Sequence, residues 1–258
     1  SSIRKEKQAY AHFFVDPYFY GRVSRSVQNL SCETTFYTGA FEYGYHVPHS
    51  SHLNTSTVTL FRNPYSRVIS SFLYGKGVHQ IMFPLGFPNR AKVKYDLRDR
   101  IRKSQYPILT YATLPGIMSC QSKMVLGKEC GEPAQLTAAS IEEARRRVRY
   151  DLAFVGLTEE SEASARLFLA MYHTRDTDHP VDAEELVSVL KNSPRVNQAH
   201  TSETNMALLH ILQQNDWQDR PDEVVYAEAV NVFFERCSAF GITTKHTKSE
   251  LLPWLSMD

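Results

Sequence analysis

The sequence predicts an α/β fold, with a mostly parallel central sheet flanked by helices and a helical C-terminal part. Three observations carry this. A β-branched run, Thr57-Val58-Thr59-Leu60-Phe61, feeds directly into a helical pattern over residues 65–74. A charged helix over 141–150, a short apolar run over 152–155 and a helical pattern over 159–172 repeat the alternation. Beyond residue 183 the periodic segments are all helical. The chain has 258 residues, 42% of them hydrophobic and 22% charged, which excludes wholesale disorder. A chain of this length buries roughly three quarters of its unfolded surface without help from metals or disulfides. Nothing resembles an interdomain linker, so residues 1–258 read as one domain.

Taken in order, the elements have local causes. Residues 1–20 hold an amphipathic start and an aromatic cluster of Phe13, Phe14, Tyr18, Phe19 and Tyr20. The β-branched run stops at Arg62-Asn63-Pro64, where Asn63 suits an N-cap and Pro64 the first helical turn. Val68, Ile69, Phe72 and Leu73 then recur at helical spacing, which leaves Arg62 at the strand's C-terminal end. In the second unit Leu152-Ala153-Phe154-Val155 is a short buried strand, Gly156-Leu157-Thr158 a turn, and Thr158 the cap of a helix over 159–172. Helices follow over 183–191, 205–213 and 221–240, punctuated by Pro180, Pro194 and Pro221. The last turns Val224, Val225, Val232 and Phe233 inward and has Gly241 just past its end. Ligands of parallel sheets bind beyond the strands' C-terminal ends, where Arg62 and Thr158 both fall.

Charge narrows the function. Lys plus Arg (29) against Asp plus Glu (28) leaves +1, which argues against a nucleic-acid-coating surface. No apolar run approaches the ~18–20 residues of a membrane span. The chain opens with Ser1-Ser2-Ile3-Arg4 rather than Met, so a removed signal peptide or anchor is compatible with it, and membrane association is expected only through such a segment. Asn29-Leu30-Ser31 and Asn54-Thr55-Ser56 have the N-glycosylation pattern. Of four cysteines, Cys120 and Cys130 are the closest pair and enclose Gly127 and Lys128. They are either a disulfide loop of an oxidising compartment or two ordinary thiols.

The stretch from Arg62 to Phe72 is the most informative. An Arg leaving a strand, with Ser70 eight residues on, sets a guanidinium fork and a hydroxyl around one phosphate-sized space. The helix start adds its backbone N–H groups and dipole, whereas the bland alternative is an exposed Arg before an ordinary helix. His46, His49 and His52 precede the strand and offer imidazoles able to take a proton from an attacking hydroxyl, or are surface loop residues. Their spacing admits zinc, but no acidic or Cys partner lies close by in sequence. Arg90, Lys92, Lys94, Arg98, Arg100, Arg102 and Lys103 stand against only Asp96 and Asp99. That cluster suits an anionic acceptor or is a solvated helix. Arg145, Arg146, Arg147 and Arg149 follow Glu142 and Glu143 and read as a solvated face with local ion pairs.

The stretch Arg62-Asn63-Pro64-Tyr65-Ser66-Arg67-Val68-Ile69-Ser70-Ser71-Phe72 resembles the 3′-phosphate-binding motif of sulfotransferases that use 3′-phosphoadenosine 5′-phosphosulfate (PAPS). The resemblance extends to the Golgi uronyl and heparan sulfate 2-O-sulfotransferases and their algal relatives. Tyr45-His46-Val47 resembles that group's Gly-His-Val catalytic segment, and residues 154–160 its Val-Gly-Val-Thr-Glu-Glu strand-turn-helix. His200-Thr201-Ser202-Glu203 is similar to a Lys-Thr-Thr-Glu segment before the last helices. The matches run in family order over roughly residues 40–240. They imply a P-loop-NTPase-like sulfotransferase fold and a Cys120–Cys130 disulfide. They also imply Arg62 and Ser70 on the 3′-phosphate, Thr158 near the adenine, and Thr201 closing over the nucleotide.

On that resemblance His46 is the general base, with His49 the alternative. PAPS is the co-substrate and 3′,5′-adenosine bisphosphate (PAP) the product, and no metal is required. The acceptor is a hydroxyl of an anionic or neutral glycan, with Arg90, Lys92 and Lys94 as candidate contacts. The compartment implied is the Golgi lumen or secretory pathway. One departure is plain: the family's Pro-Lys-Thr-Gly-Ser/Thr-Ser phosphosulfate loop is missing from these residues. Either Ser1 and Ser2 are the loop's last residues in a truncated chain, or loop and catalysis are lost and a non-catalytic PAP/PAPS-binding or scaffold protein remains. A phosphoryl-transfer P-loop enzyme is a further rival, but Arg62 stands where its Mg²⁺-binding Asp is expected.

Overall fold

Val58–Phe61 forms β1 and Phe154–Leu157 forms β2, paired in parallel with Val58 opposite Phe154 and Phe61 opposite Leu157. The structure, a computed structural model, describes residues 58–74, 90–128, 130–131, 135–172, 188 and 202–253, with the backbone alone for residues 90–94. Among these residues the fold is mixed α/β, mostly helical, around this short parallel sheet. The helices are α1 (Pro64–Tyr74), α2 (Arg90–Lys103), α3 (Pro107–Ala112), α4 (Cys120–Val125) and α5 (Ala138–Tyr150) before β2. After it come α6 (Ser161–Tyr172), α7 (Ser202–Gln214), α8 (Arg220–Ala239) and α9 (Lys248–Leu251).

Two apolar clusters hold these elements. Phe61, Phe154, Val155 and Leu157 from the sheet pack with Val148 of α5, Leu167 of α6, and Val225, Tyr226, Val230 and Phe233 of α8. Val68 and Ile69 of α1 pack instead with Ile101 of α2, Ile108 and Tyr111 of α3, Leu212 of α7 and Trp217. Helix α1 therefore starts at the sheet and buries its apolar stripe in the second cluster. In α8, Val225, Val232 and Phe233 are buried as expected, while Val224 is half-buried.

Several boundaries differ from the sequence expectation, each for an identifiable reason. β2 covers 154–157 rather than 152–155 because Arg236 of α8 donates to the carbonyls of Leu152 (3.2 Å) and Ala153 (3.0 Å), which are thus satisfied outside any ladder. Helix α5 begins at Ala138, three residues early, since the Thr137 hydroxyl accepts from the Ser140 N–H. Thr158 does not cap α6. Its hydroxyl donates to Glu159 at 3.2 Å, and the Glu160 carbonyl accepts the helix's first bond, from the Ser164 N–H at 2.7 Å. Helix α7 starts at Ser202, three residues before the expected Asn205. Of the expected helix over 183–191, only residue 188 lies within the described residues, and it is helical.

Helix α8 ends as predicted. Gly241 takes φ +67°, its N–H bonds the Ser238 carbonyl, and the Ile242 N–H bonds that of Cys237. This is the paired closure of a glycine-terminated helix, in which the left-handed backbone returns N–H groups to orphaned carbonyls. The arginines of α5 are less solvated than expected. Arg145, Arg146 and Arg147 pair locally with Glu142 and Glu143, but Arg149 reaches Glu228 and Glu235 of α8, and Arg145 also reaches Glu228, which is buried. Among the described residues no helix is long and apolar enough to cross a membrane.

Candidate functional site

The parallel register brings Arg62 and Thr158 side by side at the C-terminal ends of β1 and β2. The ladder continues one step past Phe61, whose carbonyl accepts from the Thr158 N–H at 2.9 Å. Asn63 then starts α1 as predicted: its Oδ1 accepts from the N–H groups of Tyr65 (3.0 Å) and Ser66 (3.2 Å), and its carbonyl from the Arg67 N–H. This revises one expectation. With Pro64 lacking an N–H and the next two donors taken by Asn63, the first turn offers an anion its dipole rather than free N–H groups. The charge that remains to hold an anion is the Arg62 side chain.

Glu159 ties the two strand ends together. One carboxylate oxygen accepts from the Asn63 N–H at 2.9 Å, and the other from the Tyr226 hydroxyl of α8 at 3.1 Å and the Thr158 hydroxyl. Burial and the Glu159 charge push the Tyr226 phenol well above its ordinary range, so it stays protonated and donates. The Arg62 guanidinium is half-buried, and among the described residues it makes no ion pair. Burial lowers its pKa, Glu159 raises it and neighbouring Arg67 lowers it again. An arginine remains charged through shifts of that kind. A permanently charged fork that pairs with no carboxylate among the described residues, at the strand ends where Thr158 also stands, fits an anionic group. Ser70 lies half-buried on the second turn of α1.

The Arg62 backbone is held from a distance. Gln121, the second residue of α4 and almost wholly buried, accepts from the Arg62 N–H through Oε1 at 2.9 Å and donates from Nε2 to the Arg62 carbonyl at 2.9 Å. Gln121 is itself anchored, because Asp222 accepts from its N–H at 3.1 Å and from the Ser122 N–H at 2.8 Å. Asp219 accepts from the Ser119 N–H at 2.8 Å. Arg67 lies against both buried carboxylates, at 3.2 Å from Asp219 and 3.1 Å from Asp222, and donates to the Ile117 carbonyl at 2.9 Å.

Cys120, at the start of α4, and Cys130 are at disulfide distance, with Cα atoms 4.5 Å apart. The enclosed segment is not an open loop as expected. It is the helix α4 followed by a turn in which Gly127 takes φ +75°. The buried Lys123 donates to the carbonyls of Pro115 (3.0 Å) and Cys130 (3.1 Å) from inside the ring.

Arg90, Lys92 and Lys94 occupy the first turns of α2, and further along that helix Arg100, Arg102 and Lys103 are exposed, Lys103 pairing with Asp99 at 2.6 Å. His46, His49, His52, Ser1, Ser2 and Thr201 lie outside the described residues, as do Asn29 and Asn54. Sequence reasoning missed Gln121, the bridging role of Glu159 and the phenol of Tyr226. The signals for Glu159 were its place directly after the β2 turn and within the 154–160 segment, and Gln121 had none beyond following a cysteine. No family profile, curated protein or solved structure matches the chain.

Proposed function

We propose that this chain is a PAPS-dependent sulfotransferase of P-loop-like fold, transferring a sulfuryl group to a hydroxyl of a carbohydrate in the Golgi lumen or secretory pathway. The observation that carries the reading is the half-buried Arg62, without an ion pair among the described residues, at the C-terminal ends of two parallel strands where Thr158 also stands. A strand-to-helix junction of this kind is where α/β sheets bind nucleotides. Arg62 and Ser70 hold the 3′-phosphate, Thr158 lies near the adenine, and Thr201 closes over the nucleotide. Arg90, Lys92 and Lys94 draw in an anionic glycan. The Cys120–Cys130 pair agrees with an oxidising compartment.

In the proposed reaction the acceptor oxygen forms a bond to sulfur as the bond from sulfur to the 5′-phosphate oxygen breaks. The hydroxyl proton passes to the imidazole of His46, or of His49, and PAP leaves with the electron pair. Most of the acceleration comes from positioning and charge neutralisation, as in phosphoryl transfer. The test is a titration of PAP against the full-length gene product. Arg62→Ala should cost about 2–5 kcal/mol in PAP affinity, the usual loss for a buried charge-assisted pair. Ser70→Ala should cost on the order of 1 kcal/mol. Unchanged PAP affinity in a folded Arg62→Ala protein would refute the site. PAP binding without sulfuryl transfer to any glycan would leave a non-catalytic nucleotide-binding protein.

A further inference from the structure

Among the described residues one side chain bonds both backbone groups of Arg62. A primary amide that accepts from one residue's N–H and donates to its carbonyl holds the two peptide units on either side of that residue, and with them the direction in which its side chain leaves the backbone. Gln121 does this to Arg62 across 59 residues of sequence, with both bonds at 2.9 Å. The residue gripped is the hinge between β1 and α1, where neither ladder nor helix supplies the bonds. Arg62 lies outside both elements, and its N–H and carbonyl have the Gln121 amide as their partner. The grip is rigid at its far end as well. Cys120, one residue away, is bridged to Cys130, and the Gln121 N–H is held by the buried Asp222.

We propose that Gln121 is a positioning residue for anion recognition by Arg62, its amide setting the Arg62 peptide so that the guanidinium is aimed at the 3′-phosphate of the nucleotide. The inference rests on the reading of Arg62 given above. A guanidinium binds phosphate through paired N–H donors in a fixed plane, so a small rotation of its peptide displaces the fork from the oxygens. Glu159 also holds the Asn63 N–H, in the same peptide unit as the Arg62 carbonyl, and Thr158 holds the Phe61 carbonyl, in the same unit as the Arg62 N–H. Among the described residues, however, Gln121 is the side chain that bonds both units. Gln121 therefore acts through the Arg62 side chain, and so on the 3′-phosphate before the rest of the nucleotide.

The experiment compares PAP with adenosine 5′-monophosphate, which lacks the 3′-phosphate, on the full-length protein. Gln121→Met keeps the volume and removes both bonds. It should weaken PAP about tenfold, the effect of losing roughly one net hydrogen bond's worth of alignment, while leaving the monophosphate unchanged. Gln121→Glu keeps the acceptor for the Arg62 N–H but can donate to the Arg62 carbonyl only when protonated. Its PAP affinity relative to wild type should therefore recover as the pH falls from 8 to 5. Equal loss for both nucleotides, or no loss for either, overturns the inference while Arg62→Ala still abolishes the preference for PAP. If Arg62→Ala leaves that preference intact, the reading of Arg62 fails and the inference falls with it. Should the Met variant not fold, the pH-dependent ratio of the Glu variant decides alone, and a flat ratio refutes the role.

Discussion

Asp219 shows how a single residue can set a pH response. It is fully buried, next to Asp222 and Arg67, and accepts from the N–H and hydroxyl of Ser119. Burial, then the Asp222 charge, raise its carboxyl from an ordinary 3.8 to about 7 against the opposing pull of Arg67 and Ser119. A carboxyl raised in the native state binds more protons folded than unfolded between those two values. Its contribution to stability is complete below the unfolded pKa and is lost as pH rises through the native one. The urea midpoint of the wild-type protein should therefore fall between pH 5 and pH 8 more steeply than that of Asp219→Asn. Glu223, also raised by burial, acts in the same direction but is present in both proteins and cancels. Parallel pH profiles for the two would show that Asp219 titrates normally.

At the scale of elements, β2 depends on a missing side chain. Gly156 stands opposite Leu60 in the ladder, and a Cβ there would collide with Leu60 Cδ2 and lie 2.8 Å from the Phe154 ring and 3.1 Å from Ser164 Cβ. Leu60 is more than half exposed and can swing away, but Phe154 and Ser164 are buried. Ser164 cannot give way without losing its two bonds to the Leu157 N–H and carbonyl, which satisfy β2 on the side away from β1. Gly156→Ala should destabilise the fold by about 1–3 kcal/mol, the range for overpacking, read as a lower thermal midpoint. A midpoint within error of wild type would mean that the sheet relaxes freely.

The same elements show what was legible in the sequence. The β1–α1 junction was, since a β-branched run, Asn63 and Pro64 each act on their immediate neighbours. The close of α8 at Gly241 was legible for the same reason. The start of β2 was not, because Arg236, more than 80 residues away, takes the carbonyls that a strand would have used. The Arg62–Thr158 juxtaposition was readable from the rule for parallel sheets. The hold of Gln121 on Arg62 was not, as an amide bonding a backbone 59 residues off leaves no periodic or local trace.

Across the whole molecule, the two apolar clusters meet at a charged joint. Arg67 leaves the helix whose Val68 and Ile69 fill one cluster, and pairs with Asp219 and Asp222 at the start of the helix whose Val225 and Tyr226 fill the other. Arg67→Met removes the cation and strands two buried carboxylates, which costs about 3–5 kcal/mol for a broken buried pair. The loss should also separate the clusters. In a Trp254→Phe background, Trp217 fluorescence reports the second cluster alone, and its denaturation curve should no longer coincide with that from far-UV circular dichroism. Coincident curves with an unshifted midpoint would show that the joint is dispensable.

The Cys120–Cys130 bridge closes a covalent ring around a helix whose lysine is tied to the ring's own backbone. Lys128, half-buried in the turn after that helix, is the ring's more accessible site for a trypsin-like protease. A cut there divides the polypeptide but not the molecule: both halves stay joined through sulfur, and Gln121 stays at its post. Such a nicked protein migrates as intact until thiols are added and then separates into two. Cleavage and separation of the two halves are thereby made separate events, with the second waiting on reduction.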